Sequence, residues 1–175
     1  MQQSSIKLSK SEILFLKALL ADGHKNDAKI AREIGISKAT ASRIRKRLET
    51  DEVLIDYMPI INLDGFGINL YAVVLFQWRD FNDGNKTSSM EKEFSETPQV
   101  VYLSAGESST NFNYVAMLGF FDMTDYHAFF NEFRKKYQQS VGKIEVFFIP
   151  SKQIIKQDFT DLAKLMLKKS EVQMQ

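Results

Sequence analysis

The chain has 175 residues, 44% of them hydrophobic and 26% charged, with a formal net charge of +1 and no cysteine. That composition suits one or two folded globules, argues against disorder as the main state, and removes disulfides, thiolate nucleophiles and sulfur-ligated metals. No run approaches the roughly 18 apolar residues of a membrane span and residues 1–10 have no apolar core of signal length, so a cytoplasmic protein without membrane partners is expected.

The charge is unevenly placed. Residues 1–52 carry eleven Lys/Arg against seven Asp/Glu, whereas residues 53–175 carry twelve against fifteen. A polyanionic partner should therefore meet the N-terminal third.

Ser9-Lys10-Ser11-Glu12 has the form of a capping box and predicts a helix start. Ile13, Leu16 and Leu20 recur at helical spacing until Asp22-Gly23 breaks the pattern. Asn26 or Asp27 caps a short helix whose inner face is Ile30, Ala31 and Ile34, and Gly35 ends it. Ser37 caps a second helix two residues later, with Ala41, Ile44 and Leu48 facing inward. The small Ala31 lets the two helices approach, and Gly35 can take the left-handed conformation that a tight turn needs. This is the spacing of a helix-turn-helix. Beyond it, Val53-Leu54-Ile55 and the segment Tyr57 to Leu63 read as two strands of a wing. Asp64-Gly65-Phe66-Gly67 reads as a hinge, its G-x-G being too short for a nucleotide loop.

From Asn69 the pattern becomes strand (Leu70 to Trp78), loop (Arg79 to Lys86), helix (Ser88 to Glu96) and strands at Val100 to Ala105 and Tyr114 to Phe120. A helix with Tyr126, Phe129, Phe130, Phe133 and Tyr137 on one face follows, and then a strand at Ile144 to Ile149. The order βαββαβ makes a four-stranded antiparallel sheet with both helices on one side. The first and third strands are apolar at odd and even positions alike, so both faces of the sheet need cover, and two helices supply only one. The same sheet from a second copy is the simplest cover for the other, which predicts a homodimer through the C-terminal sheet. Glu91, Glu93 and Glu96 read as a solvated helix face. Past Pro150, Asp158 to Lys168 reads as an amphipathic helix with Phe159, Leu162, Ala163 and Met166 on the face that packs on the dimer.

The expected chain is thus α+β. A winged helix-turn-helix domain occupies residues 1–63, a hinge 64–68, a ferredoxin-like βαββαβ module for dimerisation and regulation 69–151, and an amphipathic extension 152–175. With Ala41, Ile44 and Leu48 inward, the second helix of the motif shows Lys38, Ala39, Thr40, Ser42, Arg43, Lys46 and Arg47 outward, with Arg45 at the flank. Small polar groups near the N-terminal end can reach base edges in the major groove of double-stranded DNA, and the later cations can reach phosphates. Thr40, Ser42 and Arg43 are the candidates for base reading.

The segments "AKIAREIGISKATASRIRKRLETDEVLIDYMPIINLDGFG" and "VVYLSAGESSTNFNYVAMLGFFDMTDYHAFF" carry these elements in an order that resembles the Lrp/AsnC family of feast/famine regulators. The resemblance implies symmetric dimers, often assembled into tetramers or octamers, that bind pseudo-palindromic sites and regulate transcription. It also implies an effector pocket formed by a glycine turn followed closely by Asp-Tyr. Here Gly106 matches the glycine, but Glu107 to Phe112 intervene and Asn113-Tyr114 stands in the place of Asp-Tyr. An amino-acid effector, a different small molecule or none therefore all stay open, with Gly106, Asn113 and Tyr114 as the candidate contacts.

Two rival readings remain. Decarboxylases acting on sirohaem resemble the same two-domain architecture, but the histidines here are His24 and His127 alone, and Arg79 and Arg134 are the only arginines beyond the reader. A non-specific architectural DNA binder would use the same basic face. No catalytic group, metal cluster or cofactor motif is read from the sequence.

Overall fold

The computed structural model describes residues 7–57 and 61–172. In chain order its elements are α1 (Lys10–Ala21), α2 (Asp27–Ile34), α3 (Lys38–Thr50), β1 (Leu70–Trp78), α4 (Gly84–Glu96), β2 (Val100–Ala105), β3 (Tyr114–Phe120), α5 (Met123–Tyr137), β4 (Val141–Pro150) and α6 (Thr160–Val172). They form two compact units, one built from the chain up to residue 60 together with the chain from 157 onward, the other from residues 61–156. The second unit is thus inserted into the chain of the first.

In the first unit the caps lie where local chemistry puts them. The Ser9 hydroxyl accepts from the Glu12 amide, while the Ser9 amide donates to the Glu12 carboxylate at 2.7 Å, closing the capping box of α1. Asn26 caps α2, Gly35 ends it at φ 74°, and Ser37 caps α3. Ile13, Phe15, Leu16 and Leu19 of α1, Ile30 and Ala31 of α2, and Ala41, Ile44 and Leu48 of α3 form the buried core.

Two expectations about this unit are corrected. Residues 53–57 form no strand. Instead Glu52 takes a left-handed φ of 54°, and the Val53 and Leu54 amides both donate to the Leu48 carbonyl at 2.9 and 3.0 Å, closing the C-terminal end of α3. Val53 and Leu54 pack against the core, so their apolar character serves burial rather than pairing. The expected second wing strand falls partly on residues 58–60, outside the described residues, and Leu63–Phe66 is a short 3₁₀ turn closed by Gly67 at φ 92°. The second correction concerns α6. It packs on α1 and places Leu167 in the core of this first unit, whereas Phe159, Leu162 and Met166 of the expected inner face are exposed.

The second unit is a four-stranded antiparallel sheet of order β2-β3-β1-β4, with α4 and α5 against one face. Leu70, Ala72, Val74, Phe76 and Trp78 of β1 and Tyr114, Ala116, Leu118 and Phe120 of β3 point to that face. They pack on Met90 and Phe94 of α4 and on Tyr126, Phe130 and Phe133 of α5. Both helices run longer or start earlier than their apolar patterns suggest: Asp83 caps α4 through the Lys86 amide, five residues before Ser88. Glu91 and Glu93 are not merely solvated. Glu91 accepts from the Tyr114 hydroxyl and Glu93 from Tyr137 and Lys136, while Glu96 pairs with Lys92 on the surface.

The opposite face of the sheet is open. Register places Val73 between Met117 and Phe147, and Leu75 beside Val115. These side chains are half-buried, except Phe147, which is 69% exposed.

Candidate nucleic-acid interface

The outward face of α3 is set by its inward one. Because Ala41, Ile44 and Leu48 are buried, Lys38, Ala39, Ser42, Arg43, Lys46 and Arg47 are exposed and Thr40 is half-buried. All seven residues expected on this face therefore lie on one helix, but their side chains are engaged very differently. The Thr40 hydroxyl is 2.8 Å from that of Ser37, inside the N-cap. Ser42 donates to Asp27 at 2.6 Å. Arg47 is paired with the buried Glu12 carboxylate at 2.9 Å and with Asp51 at 3.3 Å. The side chains of Arg43 and Lys46 make no hydrogen bond or ion pair among the described residues, which makes them the groups most available to a polyanion.

Arg45, at the flank, turns inward. Its guanidinium donates to Asp27 and to the Tyr57 hydroxyl, both at 2.6 Å, and to the Lys25 carbonyl at 3.4 Å, and it lies over the Phe15 and Tyr57 rings. Glu49 holds the same tyrosine hydroxyl at 3.0 Å. The segment after α3 is thereby tied to that helix by side chains rather than by strand pairing. Burial of the Asp27 carboxylate opposes its ionisation, but the hydrogen bonds from Ser42 and Arg45 and the charges of Arg45 and Lys38 outweigh that and hold it below the usual carboxylate value.

Sequence reasoning missed Asp27 as a partner of α3. At the first position of α2 it reads as an acid favoured by the helix dipole, and a contact fifteen residues on in sequence leaves no periodic trace. It also left Arg47 as a free phosphate ligand, because Glu12 looked like a capping residue only; its carboxylate does both.

The three candidate effector residues do not converge. The Gly106 amide donates to the Asn113 carbonyl at 3.0 Å, and both residues line a shallow cavity with Gln77, Phe81 and Glu107. The Asn113 side chain accepts from the Trp78 amide at 2.7 Å and donates to the Trp78 carbonyl at 2.9 Å, so it extends the β1 backbone pairing. Tyr114 points to the helix face, stacked on Phe76 and lining a separate groove with Glu91 and Lys92. His24 and His127 are exposed, and the described residues contain no cluster of three His, Cys, Asp or Glu that could hold a metal. No helix among them is long and apolar enough to cross a membrane.

A helix-turn-helix with a basic outer face, joined to a ferredoxin-like sheet, is the architecture of AsnC-type transcriptional regulators. The fold matches that of an AsnC family transcriptional regulator from Agrobacterium tumefaciens, with TM-score 0.74 and 17% identity over 86% of this chain and 94% of that one. A transcriptional regulator from Neisseria meningitidis, captured in complex with L-methionine, gives TM-score 0.73 and 18% identity over 87% and 95%. AsnC of E. coli gives TM-score 0.71 at 9% identity, over 86% and 97%. No protein-family model matches the sequence, and no curated protein sequence matches it either.

Proposed function

We propose that the chain is a sequence-specific transcription regulator that binds double-stranded DNA as a symmetric dimer in the cytoplasm. The observation that supports this reading is the outer face of α3, where Lys38, Ala39, Arg43 and Lys46 stand exposed just after a glycine turn, the arrangement of a helix that enters the major groove. Arg43, five residues into the helix and without an internal partner, is suited to guanine O6 and N7; Lys46 is placed for a phosphate. Arg47, held by Glu12 and Asp51, is a weaker phosphate contact.

The dimer reading is supported by the open sheet face, where Val73, Leu75, Val115, Met117 and Phe147 form an apolar surface that a second copy can cover. Tetramers or octamers would be built from such dimers. An effector suits the cavity beside Gly106 and Asn113, since a regulator of the same fold binds L-methionine. Asn113 cannot offer the carboxylate that an ammonium group prefers, but Glu107 lines the same cavity and can.

The test is selection from random duplex DNA by the purified protein at about 0.15 M salt, where weak phosphate attraction is suppressed. A two-fold related motif is expected, lost in Arg43→Ala while the dimer persists. Binding without any enriched motif would favour the architectural reading, and no binding would remove both.

A further inference from the structure

We infer that Asp27 makes the Ser42 hydroxyl an obligate hydrogen-bond acceptor, so that Ser42 specifies a base amino group, adenine N6 or cytosine N4, in the major groove. The inference rests on the DNA-binding reading above and adds to it which chemistry one position of the reader helix selects.

A serine hydroxyl has one hydrogen and two lone pairs. An ionised carboxylate has no hydrogen to give, so in the 2.6 Å contact between Ser42 Oγ and Asp27 Oδ2 the hydrogen belongs to serine and points at aspartate. What Ser42 then shows to the outside is lone pairs alone. The carboxylate is held in place for this role from behind. Its other oxygen, Oδ1, accepts from Arg45 Nε at 2.6 Å, and Arg45 is fixed in turn by Tyr57, by the Lys25 carbonyl and by stacking over Phe15. Both side chains of that ion pair are about one-fifth exposed, so neither is free to swing toward DNA.

Ser42 itself is exposed, on the face of α3 shared with Ala39, Arg43 and Lys46. Of the major-groove edges, guanine presents O6 and N7 and thymine presents O4, all acceptors that repel a lone pair, whereas adenine and cytosine present amino groups. Thr40 carries no comparable restriction, because in its contact with Ser37 either hydroxyl can be the donor.

The test starts from the motif enriched by the native protein and finds the position whose preference disappears in Ser42→Ala. Binding is then measured with duplexes in which the adenine or cytosine at that pair carries hydrogen in place of its exocyclic amino group. The modification should weaken native binding about fivefold beyond its effect on Ser42→Ala, the size of one hydrogen bond. In Asp27→Asn the serine hydrogen is released, and the ratio of affinities between the modified and unmodified duplexes should fall toward that of Ser42→Ala; a ratio within one variant cancels any general loss of affinity. An equal penalty in native protein and Ser42→Ala, or a motif that Ser42→Ala leaves unchanged at every position, would overturn the inference and leave the regulator reading standing. Failure to enrich any motif would remove both.

Discussion

Leu167 anchors α6 to the first unit. It is 6% exposed and lies in the core with Ile13, Phe15 and Leu16, whereas Leu165, two residues away, is 51% exposed. Truncating a buried leucine to alanine costs about 2 to 5 kcal/mol, depending on how far the site can collapse. Leu167 enters from the rim of a small core, so Leu167→Ala should sit near about 2 to 3 kcal/mol. For a unit of this size that corresponds to a fall of roughly 10 to 20 °C in its melting temperature. Leu165→Ala removes a solvated side chain and should stay within about 0.5 kcal/mol. Scanning calorimetry of the full chain, with urea denaturation followed by helical circular dichroism, reads both variants, and the transition of the sheet unit should not move. Equal losses for the two variants, or none for Leu167→Ala, would refute the placement of α6.

Gly35→Ala should cost about 1 to 2 kcal/mol by urea denaturation; at φ 74° the penalty is backbone strain alone, since an added Cβ would meet nothing within 4 Å. Gly35→Asn, which tolerates that conformation better, should recover part of the loss. Phe147→Glu, on the open sheet face, should convert the proposed dimer to monomer in sedimentation experiments while circular dichroism stays unchanged; a dimer persisting at micromolar concentration would count against that face. Because the folded-state pKa of Asp27 is lowered, its carboxylate stabilises the first unit fully above the ordinary carboxylate value, and that contribution is lost as pH falls from there through the lowered folded-state value. Denaturation of Asp27→Asn between pH 7 and pH 3 should therefore show a shallower acid loss than the native chain.

Helices α1, α2 and α3 were legible because their signals are local. Ser9 and Glu12, Asn26, Gly35 and Ser37 each act within a few residues of themselves, and the structure uses every one in the role that its chemistry favours. The strands β1, β2 and β3 were equally readable from their apolar runs and bounding turns. What local pattern could not decide was where an apolar run would find its partner. Val53-Leu54-Ile55 has the composition of a strand, yet its first two amides close α3. The last helix carries Leu162, Leu165, Met166 and Leu167 around much of its circumference, so only docking on α1 selects Leu167. The charged residues of α3 look alike in sequence. Arg45 and Arg47 are distinguished from Arg43 by Asp27 and Glu12, acids placed opposite them by the fold and far from them in the chain.

The insertion of the sheet unit between α3 and α6 also sets an order of assembly. A ribosome makes the whole of β1 to β4 before it makes Leu167, and the two strands that begin and end the insertion lie side by side, with Leu70 paired to Pro150. The usual sequence in which an N-terminal domain finishes folding first is therefore reversed. The sheet can close while the first unit still lacks the leucine that α6 adds to its core. The sheet unit can thus be complete before the last helix of the first unit has been made.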